Sequence, residues 1–214
     1  NRLTFQMVSD PLTHTSSTLL ETPHSHSLHV QHHDSLLFIQ SSATVNAELF
    51  TLTYGALVAQ LVRDHEDVAR VNVELVALGE RIGARLIDEF LAKTPSITSC
   101  TDFRETAKNV KLAFRTFLNV SVDIVDWTAD GKACTIAMKR NPLEDFVELP
   151  ASCVELSYSG VLCGAITSAL RSVNVEVDCA IATDALRGDD LTRLRLSLKQ
   201  MLKDELPEAY KDEG

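Results

Sequence analysis

The chain has 214 residues, a formal net charge of -10 and five cysteines. That length suits one well-packed domain with a tail, and the acidic balance excludes a nucleic-acid surface, whose affinity rests on clustered Lys and Arg. Cys100, Cys134, Cys153, Cys163 and Cys179 form no CxxC pair and are odd in number, which points away from a disulfide framework or a zinc site and fits a reducing, cytosolic setting.

Residues 1–44 are rich in Ser, Thr and His, with neither a steady helical period nor the charged and apolar blocks of a signal peptide. They are expected to form a disordered tail. His24, His26, His32 and His33 lie here, but no rigid scaffold aligns them, and no metal site is expected.

From Glu48 to Arg63 nearly every residue is apolar or small, which predicts a helix packed on more than one side. A polar junction of Asp64, Glu66 and Asp67 follows. Val68, Val71, Leu75, Leu78, Ile82, Leu86 and Phe90 then keep the spacing of one helical face and predict a long second helix. Gly79 and Gly83 stand on it, each costing up to about 1 kcal/mol relative to Ala in a helix interior, so another backbone is expected to approach closely. Two settings fit that approach equally: helix packing within the chain, or a subunit interface.

Pro95 breaks the pattern, and Cys100 falls in the loop before a third helix predicted from Phe103 to Leu118. Asp102 precedes Glu105 by three residues, as in a capping box. A thiol near a helix N-terminus feels the positive end of the dipole, and Arg104 is close in sequence, so the thiolate of Cys100 is favoured. The competing reading is a small buried residue, the usual role of a free cysteine.

After Val120 the period changes to two. Val122 and Ile124 form one strand, Asp130-Gly131 supplies a hairpin turn, and Cys134, Ile136 and Met138 share a face of the next strand. Phe146 to Leu149 suggest a short extended piece stopped by Pro150. A fourth helix is predicted over 156–171, with Gly160, Gly164 and Ser168 on one stripe. Its uncharged run, Leu156 to Leu170, is about 15 residues, shorter than the roughly 20 needed to span a membrane. Val175 to Ile181 and Leu194 to Leu198 alternate as two further strands, acidic on one solvent face and basic on the other, pairing across Arg187-Gly188-Asp189-Asp190. From Met201 the chain reads as an acidic, flexible tail.

The predicted fold is α+β, with helices on one side packed with antiparallel β-hairpins. It occupies a domain over 45–200, between the tails 1–44 and 201–214. No P-loop, GxSxG elbow or HExxH is present, and the predicted domain keeps His65 as its single histidine. No complete catalytic set results, so a noncatalytic protein is expected.

Several motifs carry a more specific signal. Glu48 to Val58, Gly79 to Phe90, Cys100-Thr101-Asp102-Phe103-Arg104-Glu105-Thr106, Asn141-Pro142-Leu143 with Asp145 to Pro150, and Tyr158-Ser159 with Leu162-Cys163-Gly164 resemble, in this order, the component 3 type of the TRAPP (transport protein particle) small-subunit family. The resemblance covers roughly residues 46 to 207. It implies the α+β fold of those subunits, pairing with other TRAPP small subunits through helices as a homo- or heterodimer, and vesicle tethering between endoplasmic reticulum and Golgi. It also implies a share in guanine nucleotide exchange on an early-secretory Rab GTPase by the assembled complex, and a cytoplasmic place at the periphery of cis-Golgi and endoplasmic reticulum membranes. In that family type a fatty acyl chain, palmitate, is carried on the cysteine that Cys100 matches, inside a hydrophobic channel for which Ala113 and Gly164 are the candidate small lining residues. The family pattern is broken at Ser99, where a basic residue is common, and between Ala107 and Leu112, where the chain is one residue short. A free-standing acyl- or lipid-binding protein with Cys100 as acyl acceptor is the alternative reading.

Overall fold

The computed structural model describes residues 2–4, 44–65, 67–95 and 102–202. Within the stretch expected to be a tail, β1 (Arg2–Thr4) pairs antiparallel with β2 (Thr44–Asn46). Residues 5–43 and the acidic C-terminal stretch from 203 lie outside the described residues.

Each of the first three helices starts on a side-chain cap. The Asn46 side chain accepts from the backbone N–H groups of Glu48 and Leu49 and opens α1 (Ala47–Asp64). Asp67 accepts from Ala69 N–H and opens α2 (Val68–Lys93). Asp102 accepts from Glu105 N–H at 2.7 Å and opens α3 (Phe103–Ala113). Such caps satisfy N–H groups that have no partner inside the helix, each contributing about 1 kcal/mol. The third helix is α-helical only to Ala113: Phe114–Leu118 form a π-helical turn, closed by Asn119 in the left-handed conformation. Phe114 and Phe117 remain buried through that wider turn.

The strands β3 (Val122–Val125), β4 (Ala133–Met138), β5 (Val175–Thr183) and β6 (Thr192–Met201) form one antiparallel sheet in the order β3-β4-β6-β5. The two predicted hairpins are therefore halves of a single sheet, joined where Cys134 faces Leu196 and Ile136 faces Leu194. Period-two alternation sends Cys134, Ile136, Met138, Val175, Val177, Leu194 and Leu196 into the core. On the solvent side, Lys199 Nζ meets Asp178 at 2.6 Å, a pair of the expected opposite charges.

α4 (Gly160–Arg171) packs against both α2 and β5. A Cβ on Gly79 would overlap the carbonyl oxygen of Val161, one on Gly83 that of Ala165, and one on Gly164 that of Val76. The glycines thus let α2 and α4 cross backbone to backbone inside one chain. The helix predicted from residue 156 begins only at Gly160, because tertiary hydrogen bonds hold the preceding segment in another shape. Asn72 donates to Glu155 O and accepts from Ser157 N–H, and the Tyr54 hydroxyl donates to Tyr158 O at 2.6 Å.

The segment after β4 is fixed by one carboxylate. Glu144 accepts from Asn141 Nδ2, Ser159 Oγ and Thr192 Oγ1 at 2.7 to 2.9 Å, tying the 141–150 segment to the start of α4 and to β6. Burial raises the pKa of Glu144, and these hydrogen bonds oppose that rise. The predicted extended piece at 146–149 has no strand partner among the described residues, and Phe146 adopts a positive φ of 65°.

Candidate functional site

α1, α2, α3 with its π-helical turn, and α4 each turn apolar side chains toward a common space. Phe50 and Leu57 come from α1, Leu78, Ile82, Leu86 and Phe90 from α2, Val110 and Ala113 from α3, Phe114 and Phe117 from the π-helical turn, and Val161, Ile166 and Ala169 from α4. They line a cavity of about 340 Å³. Walls this apolar favour apolar guests over water. The cavity also falls in the usual size range of small-molecule sites, roughly 300–1,000 Å³.

The shape is elongated. Leu78 and Leu91 both line it, and at about 1.5 Å per residue α2 follows the cavity for about 20 Å between them. One leaflet of a bilayer, half of a hydrocarbon core about 30 Å thick, gives an acyl chain about 15 Å. The cavity is therefore long enough for a single extended acyl chain.

Polar groups at the wall do not disturb this character. The Tyr54 hydroxyl donates to Tyr158 O rather than into the space, its ring meets that of Tyr158 edge-on at 5.1 Å, and burial raises its pKa, so it stays a neutral phenol. Among the described lining residues there is no carboxylate, imidazole or thiol. Such a wall can hold a chain but offers no group for proton transfer.

The sequence-derived site residues fall in different places. Cys100, the candidate lipid attachment residue, lies outside the described residues, two positions before the Asp102 cap. Ala113 lines the cavity. Gly164 does not: its missing side chain faces the α2 backbone at Val76 and Glu80, so its smallness serves the helix crossing. Ala165 and Ala169 are small lining residues that the sequence reading passed over. The i,i+4 spacing of Ala165 and Ala169 was the available signal.

The other thiols are poorly suited to acyl transfer, which needs a thiolate. Cys134, Cys153 and Cys163 are buried. Burial pushes the Cys134 thiol up to about 11, and the hydrogen bond to Cys163, followed by burial, raises Cys179 well above its ordinary value. Among the described residues, no group of three or more His, Cys, Asp or Glu side chains is arranged to hold a metal, and no helix is long and apolar enough to cross a membrane.

Three comparisons bear on these features. The family model of the transport protein particle (TRAPP) component matches residues 50–197. Trafficking protein particle complex subunit 3 of Dictyostelium discoideum is 44% identical over 168 residues, covering 78% of this chain and 90% of that protein. Transport protein particle subunit bet3 of Schizosaccharomyces pombe is 48% identical over 165 residues, covering 76% and 89% respectively. A crystal structure of a trafficking protein particle complex subunit 3 from Naegleria fowleri, covalently bound to palmitic acid, is similar with a TM-score of 0.71 at 40% identity, covering 74% of this chain and 98% of that one.

Proposed function

Because the chain belongs to the TRAPP component family, we propose that it is a noncatalytic subunit of a TRAPP vesicle-tethering complex. It works in transport between endoplasmic reticulum and Golgi and contributes to nucleotide exchange on an early-secretory Rab GTPase through the assembled complex. It carries a palmitoyl chain on Cys100, buried in the cavity between the helices. The observation that carries this reading is the elongated apolar cavity, which has the length and wall chemistry of an acyl-chain site; the palmitic acid held by the similar Naegleria fowleri protein supports the choice of guest.

Each methylene placed in that cavity contributes about 0.8 kcal/mol of burial. A chain so buried stabilises the subunit and leaves no lipid free to hold a membrane. Association then rests on protein contacts. Leu49 on α1 and Val73 on α2 stand exposed, the kind of apolar surface that another small subunit covers. Co-expression with other TRAPP small subunits, followed by size-exclusion chromatography with light scattering, tests the assignment. A stable complex of defined stoichiometry is the expected outcome; a chain that stays monomeric and unbound at micromolar concentration contradicts it.

A further inference from the structure

The cavity between the helices has two unlike ends. At one end α3 begins, and Cys100 precedes its first residue, Phe103, by three positions. At the other end α2, the π-helical turn and α4 stop close together, at Lys93, Leu118 and Arg171. There Phe90 from the last turn of α2 meets Phe117 from the π-helical turn, with ring centroids 6.4 Å apart and planes tilted by 47°. Both rings line the cavity and both are buried. With Ile87 they form a cluster apart from the main core, against which Ala113, Ala169 and Val173 pack.

Charge stands behind this aromatic pair. Lys93 Nζ lies 5.7 Å from the centre of the Phe117 ring and 2.8 Å from Glu89, and neither side chain keeps more than 20% of its surface exposed. Neither residue lines the cavity, so the Phe117 ring separates the ion pair from it.

We propose that the Phe90–Phe117 pair is the floor of the cavity and sets the longest acyl chain it accepts. This rests on the acyl-chain reading of the cavity and adds its length limit. From Phe103 to Phe117 the helix and its π-helical turn advance about 21 Å at about 1.5 Å per residue. An extended hydrocarbon advances about 1.25 Å per carbon, from C–C bonds of about 1.52 Å meeting at about 111°, so a palmitoyl chain reaches about 19 Å. A chain that enters from the α3 start therefore brings its methyl end to the two rings. A longer one must push a buried ring out of close packing. Otherwise it must pass the ring and strip water from the Lys93–Glu89 pair, which costs more than burying a methylene returns. Up to the floor, each two added methylenes raise affinity roughly tenfold; beyond it they add nothing.

The test uses the full chain with Cys100→Ser, to which no chain can be attached, and free lauric, myristic, palmitic and stearic acids, read by displacement of an anilinonaphthalene sulfonate fluorophore. Affinity is expected to rise roughly tenfold per two methylenes as far as palmitic acid and then to stop rising. Phe117→Leu lowers the floor and is expected to extend the rise to stearic acid. Ala169→Leu fills the space above the floor and is expected to end the rise at myristic acid. Melting temperature is the folding control, and Ala169→Leu, which removes no buried ring, decides the matter if the Phe117 variant does not fold. A rise that continues to stearic acid in the parent, a break left in place by either folded variant, or no binding of any acid overturns the proposal. Intact masses of the same variants with Cys100 restored separate the length limit from attachment. A break that moves while Cys100 stays unmodified supports the floor and contradicts attachment. An acylated Cys100 whose chain length is the same in parent and variants supports attachment and overturns the floor.

Discussion

Replacing Ala113 by Leu sets stability and acyl occupancy against each other. Ala113 sits on α3 in the cavity wall, beside the space bounded by Phe90, Phe117 and Ala169. Leucine adds three carbons to that wall. At about 0.8 kcal/mol per buried methylene-sized group, filling the empty space contributes at most about 2 kcal/mol. For a chain of this size that amounts to a rise of roughly 4–8 °C in melting temperature. The same atoms narrow the space left for an acyl chain. In a Cys100→Ser background, where no chain can be attached, Ala113→Leu is expected to raise the melting temperature in scanning fluorimetry. With Cys100 intact, protein from a eukaryotic host is expected to lose most of its acylated fraction in intact-mass spectra. Full acylation together with the raised melting temperature would refute the reasoning, because the chain would then run elsewhere than past Ala113. A lowered melting temperature in the Ser background would show that the space is too tight to fill.

Gly83→Ala and Gly164→Ala place a Cβ against backbone carbonyls of the facing helix. Each is expected to destabilise by about 1–3 kcal/mol in urea titration despite the higher helix propensity of alanine; stabilisation would mean that α2 and α4 have room to separate. Glu144 has a folded pKa raised above its ordinary 4.5 by burial. Its protonated form is therefore favoured in the folded state, and that contribution is present below about pH 4.5 and lost as pH rises through the folded value. Glu144→Gln is neutral throughout, so the melting temperature of the variant minus that of the parent should increase from pH 4.5 to 7.5; a constant difference would show that burial leaves this carboxylate unpenalised. Tyr54→Phe removes the hydroxyl that donates to buried Tyr158 O. A loss of about 1–3 kcal/mol in the same titration is expected, and no loss would mean that the carbonyl finds another donor.

Where local rules decide, the sequence was legible. The α2 stripe, the Asp102 cap, the Asp130-Gly131 turn and the alternation on β3, β5 and β6 follow from periodicity and turn chemistry. What went unread depends on residues distant in sequence. Nothing within 151–159 announces that Asn72 and Tyr54 will hold it out of the fourth helix. The β4–β6 pairing joins strands more than fifty residues apart and has no local marker. The Glu144 clamp likewise needs Ser159 and Thr192, each contributed by a different element.

The candidate site was legible to the same degree. Small residues on α3 and α4 were candidates for the channel wall, but smallness has the same sequence signature whether it opens a cavity or lets helices cross. Ala113 lines the cavity and Gly164 meets α2. The π-helical turn that turns Phe114 and Phe117 into the cavity carries no Gly or Pro to announce it.

The most direct measurement is the intact mass of the protein purified from a eukaryotic host, before and after hydroxylamine, beside Cys100→Ser. The account predicts one added palmitoyl mass, removed by hydroxylamine and absent from the variant. An unmodified parent, or an added mass that persists in Cys100→Ser, would contradict it.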